Sequence, residues 1–146
     1  MSHYTKDSYD PTTSVGFSIN QARNLMQAEM DAALVDLEIT MQQMGIVLLV
    51  ARDLASTPFE LSKALEIDTG LMTRMLDKLE KQDLLTRVRS LEDRRSVNLQ
   101  LTKKGKQIAA AVPQRAMSVL NRRLENFSAT EFKEFQRLLK KFIGDR

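Results

Sequence analysis

Asp93-Arg94-Arg95-Ser96-Val97-Asn98-Leu99-Gln100-Leu101-Thr102-Lys103-Lys104-Gly105 decides how this chain folds. Two arginines follow the acidic pair Glu92 and Asp93 at a turn. Ser96 to Leu101 then alternates, with Val97, Leu99 and Leu101 on one face, as a half-buried strand does. Thr102 is a fresh helix cap. Upstream, Leu84-Leu85-Thr86-Arg87-Val88-Arg89 alternates after its start. The two runs make a hairpin with a basic tip, turning over Ser90 to Arg95.

The stretch before the hairpin divides cleanly. Met72, Met75, Leu76 and Leu79 fall at i, i+3, i+4 and i+7, one apolar stripe on a helix ending near Asp83, where a left-handed residue is expected. Thr73, Arg74, Asp77, Lys78 and Lys81 lie opposite. Before it, Thr57-Pro58-Phe59-Glu60 is a capping box with proline at the first helical position. The short helix it starts reaches Leu65, and Ile67 to Gly70 is a tight connection with Asp68 as the next cap. Two short helices so joined form a helix-turn-helix. With the hairpin behind them, the layout is a winged helix: one helix for the DNA major groove, a basic tip for the adjacent minor groove.

Outward from this centre the chain is helical. A long helix is expected from Ser14 to about Leu37. Thr40-Met41-Gln42-Gln43 is a capping box that starts a helix to about Ala55, apolar nearly all round and therefore the buried central one. Thr102 starts a helix to about Phe127, interrupted by Pro113, where a kink is expected between Ala109 and Pro113. Ser128 to Glu131 caps a last helix with Phe132, Phe135, Leu138, Leu139 and Phe142 at helical spacing. That stripe reads as core or dimer contact, since a single chain has no third layer to cover it. Residues 1–13 read as a flexible lead-in, residues 14–146 as a single domain. The fold class is mainly α with a small β-hairpin wing.

Charge is distributed unevenly. From Arg74 to Lys106 there are ten basic and five acidic residues, so this stretch nets about +5 while the whole chain nets +3. A basic patch on a near-neutral body suits phosphate contact, although a solvated surface would look the same. The 146 residues include no cysteine and one histidine, His3, near the N-terminus. Disulfides, thiol redox sensing and Cys-based metal sites are excluded, a His-based zinc site and a cofactor are not expected, and no catalytic constellation is present. No apolar run approaches a membrane span or a signal segment, so a soluble, cytoplasmic protein is expected.

The chain resembles the MarR family of bacterial transcription regulators from about residue 14 to 143. The likeness is densest over Thr69 to Lys81, and in Glu92-Asp93-Arg94-Arg95 with Leu101-Thr102-Lys103-Lys104-Gly105 behind it. It implies a homodimer joined through residues 14–39 and 102–146, each chain carrying a winged helix-turn-helix over 40–101. It also implies pseudo-palindromic operators, and release of double-stranded DNA by a small aromatic or lipophilic effector. Asp83 stands where the family usually has Gly, and Leu71 where a small polar residue is common.

The expected DNA contacts are Thr69, Gly70, Leu71, Thr73, Arg74 and Lys78. Arg74 can pair bidentately with guanine, or with Asp77 on its own helix. Arg95 is expected at the minor groove, with Arg94 as its competitor, while the resemblance makes Asp93 a structural partner of an arginine in the wing. Arg87, Arg89, Lys103 and Lys104 would bind phosphates, or nothing. Met26, Met30, Met41 and Met44 would border a family-type ligand pocket or simply fill the core. Arg23 and Arg52 could hold an acid's carboxylate or stand as surface charges. The reading is thus a dimeric repressor. The alternative is a winged-helix module that docks on protein without binding DNA, and an enzyme is not expected.

Overall fold

The computed structural model describes residues 2–89 and 97–144. Helix α1 spans Val15–Ala33 and a 3-10 turn Val35–Leu37. Then come α2 (Met41–Ala51), α3 (Pro58–Leu65), α4 (Thr69–Lys81), β1 (Leu85–Arg89), β2 (Val97–Leu101), α5 (Lys103–Arg123) and α6 (Ala129–Ile143). The two strands are antiparallel, with Leu85 opposite Leu101, Arg87 opposite Leu99 and Arg89 opposite Val97. This is the expected mainly α fold with a hairpin wing.

Each helix starts where its cap chemistry places it. Thr40, Thr57 and Ser128 each accept the backbone N–H three residues on, and Gln43, Glu60 and Glu131 reach back to complete the boxes. The hydrogen bonds from Ser56 and Thr57 hold the Glu60 carboxyl below the usual glutamate range. Its contribution to the start of α3 is therefore present above that range and is withdrawn as pH falls through the lowered folded-state value.

Helix ends are where the expectations needed correction. The first helix stops at Ala33, and the chain turns through the 3-10 segment to Glu38, whose φ is 56°. The second stops at Ala51 and not near Ala55, because Asp53 takes a φ of 54° and Leu54 N–H bonds back to the Leu49 carbonyl. The fourth closes in the same way: Asp83 has a φ of 58°, Leu84 N–H donates to Leu79 O at 3.0 Å, and both leucines are buried. That is the Schellman pattern, with aspartate in the place glycine usually takes. Helix α5 ends at Arg123, short of Phe127, and continues through Pro113. Lacking an N–H, Pro113 leaves the Ala109 carbonyl without its helical partner.

The core gathers under α4. Met72, Leu76 and Leu79 are buried with Met75, each stabilising by about 1.5–3 kcal/mol. They meet Ile46 and Val47 of α2, Leu61 of α3, Leu84, Leu85 and Leu99 of the hairpin, and Val112 of α5. On the hairpin the inward face is Leu85, Leu99 and Leu101, while Val88 points out, 42% exposed. Residues 2–13, expected as a flexible lead-in, form local turns: Asp10 accepts from Thr12, and the Tyr4 hydroxyl accepts Val15 N–H at 2.9 Å. Tyr4 also stacks edge-on against Tyr9.

The tightest joint lies between the end of α4 and the start of α5. Thr102 donates its hydroxyl to Asp83 O (2.6 Å) and its N–H to Leu84 O (3.1 Å), and also caps Gly105 N–H. A Cβ on Gly105 would overlap the Leu84 carbonyl oxygen. Backbone meets backbone there, so no rotamer change relieves the clash. Gly105→Ala should destabilise the protein by about 2–3 kcal/mol. Thermal unfolding of the two proteins checks this; an unchanged Tm would show that the joint can open without cost.

Candidate nucleic-acid interface

Helix α4 owes its setting to both ends and one face. Asp68 caps its start, accepting Leu71 N–H at 2.9 Å. The buried stripe fixes its rotation about its own axis, which turns Thr69, Gly70, Thr73, Arg74 and Lys78 outward, all exposed. Lys78 and Lys81 in the last turn also complement the helix dipole.

The outward residues differ in what they have free. Arg74 makes no hydrogen bond or ion pair with the described residues, and its expected partner Asp77 is bound by Arg87 at 2.7 Å. Thr73 donates its hydroxyl to Thr69 O at 2.8 Å, so its oxygen keeps only acceptor capacity. Gly70 sits on the cap: a Cβ there would lie 3.2 Å from Asp68 Oδ1. Leu71, expected on the DNA side, is half-buried and packs against the core, which removes most of its side chain from that face.

The wing-tip residues Asp93, Arg94 and Arg95 lie outside the described residues. The hairpin that leads to them is described as far as the Arg89–Val97 pair, and Arg89 is exposed. Arg87 is not a phosphate binder in this structure. It bridges Asp77 and Glu80 of α4 at 2.7 and 2.8 Å, tying the hairpin to the helix. Lys104 likewise is committed, donating to Gln82 O at 3.0 Å. Lys103 is exposed.

Met30 is buried, and Met26, Met41 and Met44 pack partly buried against the same core, which matches the core-filling alternative. A separate cleft of about 750 Å³ opens between α2, β2 and α5. Its walls include Leu48, Leu99, Leu101, Ala109 and Pro113, with Arg52 and Lys106 as cations, Asp53 as a carboxylate, and none of the four methionines. Arg23 is exposed and takes no part in it. No group of metal-ligating side chains occurs among the described residues, and no helix among them is long and apolar enough to cross a membrane.

Comparison with known proteins agrees with this geometry. The MarR family model matches residues 39–97. The multiple antibiotic resistance protein MarR of Salmonella typhimurium is 30% identical over 143 residues, covering 95% of this chain and 97% of its own. The chain belongs to the MarR family. A mutant of E. coli MarR, solved in complex with operator DNA, is 30% identical and superposes with a TM-score of 0.82 over 93% of this chain and all of that one. BpsR of Bordetella bronchiseptica, whose DNA binding is regulated by 6-hydroxynicotinic acid, shares the fold at 22% identity. Its TM-score is 0.81, over 94% of this chain and 99% of its own. As a MarR-family member the chain is a DNA-binding regulator.

Two contacts of this MarR-family chain escaped the sequence. Arg87 sits at an alternating strand position and gives no local sign of the helix carboxylates it meets. The same holds for the amide of Gln82, which donates to the Glu38 carbonyl at 2.6 Å across 44 residues. Exposed pairs of the Arg87 kind contribute roughly 0–1 kcal/mol each. Arg87→Ala should therefore lower Tm by only about 2–4 °C. A calorimetric scan checks this; a drop several times larger would make Arg87 a main strut of the fold.

Proposed function

We propose that this MarR-family chain acts as a homodimeric repressor that reads a pseudo-palindromic operator. The observation that carries the reading is the exposed polar face of α4. Arg74 stands there unpaired among the described residues, and its apolar back is locked into the core. An arginine held on a rigid helix suits bidentate pairing with guanine O6 and N7, with Lys78 and Thr69 on neighbouring phosphates. Thr73 and Gly70 leave room for close approach to the groove floor. Arg94 and Arg95 would follow the minor groove from the wing, with Asp93 shaping the turn.

Dimerisation is supported by α6. Phe132, Phe135, Leu138, Leu139 and Phe142 are all 36% exposed or more, and α6 buries no residue against the rest of the chain. Such a face is costly in water, and an isologous partner presents its match. Val15, Phe17 and Leu25 of α1 are exposed as well.

Release by a small aromatic acid is supported by the cleft between α2, β2 and α5. Its walls join apolar side chains to two cations, Arg52 and Lys106, neither of which has a partner among the described residues, against one carboxylate, Asp53. A planar apolar anion fits that chemistry.

Selection of bound duplexes from a random pool tests the reading. Enrichment of a two-fold site with half-sites about one helical turn apart supports it. Salt-labile binding with no recovered sequence would overturn it. On the recovered site Arg74→Ala should weaken binding by about 1–3 kcal/mol and relax one base position, with Tm unchanged. Sedimentation equilibrium should give a dimer, and Phe135→Glu should give monomers.

A further inference from the structure

We infer that Gln82 is a positioning residue for DNA recognition: its side-chain amide anchors the end of the recognition helix to the connector between α1 and α2. The inference rests on the reading of α4 as the DNA-reading helix.

The geometry is a closed circuit. Gln82 is the C-cap of α4, and its Nε2 donates to Glu38 O at 2.6 Å. Glu38 is itself held in a left-handed conformation at the end of the 3-10 turn, which fixes where its carbonyl points. The connector is pinned on both sides. Asp31 of α1 accepts Met41 N–H at 2.6 Å, and Asp36 pairs with Arg115 of α5. The circuit closes through α5, whose Lys104 donates to the Gln82 carbonyl at 3.0 Å and whose cap Thr102 donates to Asp83 O. Side chain and backbone of one residue thus take bonds from the two halves of the α1–α5 framework.

Apolar packing alone does not set the tilt of α4. The stripe of Met72, Met75, Leu76 and Leu79 is held by burial, which has little directional preference. Directed hydrogen bonds supply what burial lacks: Arg87 ties this end of α4 to the hairpin and Thr102 ties it to α5, while Gln82 ties it to the α1–α2 connector. The outward residues Thr69 to Arg74 lie at the opposite end. A helix of 13 residues is about 20 Å long, so a tilt of roughly 5° at the anchored end moves the other by nearly 2 Å. That exceeds the tolerance of a bidentate base contact. The Oε1 of the same amide is buried without a partner among the described residues, so the amide is held by the Glu38 bond.

The test uses Gln82→Met, which keeps length and bulk and removes the donor. Removing an unpaired buried acceptor along with the donor should leave Tm within about 3 °C of the original. Affinity for the selected duplex and for a random duplex is measured well below the melting temperature, for the whole protein and for the variant. The ratio of the two should fall about tenfold in Gln82→Met, while binding to the random duplex is kept. Gln82→Asn, whose amide is drawn back by one methylene, should lose the ratio in the same way and guards against a folding defect peculiar to methionine. A purely structural role would move Tm and leave the ratio of the folded protein alone. A ratio within twofold of the original in both variants overturns the inference. Failure of the unaltered protein to bind any duplex overturns the DNA reading itself, and this inference with it.

Discussion

The contact between the Leu84 carbonyl and the backbone of Gly105 is the constraint on which the rest of this molecule depends. It brings the first turn of α5 against the turn after α4 at a spacing only glycine allows. Thr102 then reaches both Asp83 and Leu84, and Lys104 reaches Gln82. A four-residue step from Leu101 to Gly105 therefore sets three relations at once: where the hairpin ends, where α5 begins, and where α4 stops.

From that joint the functional surface follows by ordinary packing. The hairpin leaves on one side and is braced to α4 by Arg87 between Asp77 and Glu80. The helix α5 leaves on the other and runs along α1, with Arg122 and Arg123 on Glu29 and Arg115 on Asp36. Asp77 and Glu80 of α4 are thus occupied by Arg87, and Arg74 and Lys78 face outward without neutralising partners among the described residues. Each Arg87 pair is worth little in stability; its larger effect is on which charges remain free.

Much of this was legible locally. The capping boxes at Thr40, Thr57 and Ser128, the caps at Asp68 and Thr102, and the left-handed Asp83 were readable because each is decided within a few residues. The apolar stripe of α4 was readable because burial imposes a 3.6-residue period. What was not legible joins distant segments: Arg87 to α4, Gln82 to Glu38, Lys104 to Gln82. Side chains that reach across 22 or 44 residues leave no periodic trace. The partial burial of Leu71 was not legible for a related reason. At the first turn of α4 it stands at the edge of the apolar stripe, and only the packed core decides its side. The end of α2 was overestimated because Leu54 and Ala55 continue the apolar run, while the left-handed turn at Asp53 breaks the helix.

Guanine N7 methylation interference on a bound duplex tests the central claim most directly. That claim is that α4 presents an unpaired arginine to the major groove from a fixed framework, once from each protomer. The methyl group blocks the acceptor such an arginine uses, and only in the major groove. The account predicts two clusters of sensitive guanines about one helical turn apart, related by the two-fold axis of the site. Binding that persists with every guanine N7 methylated would contradict it.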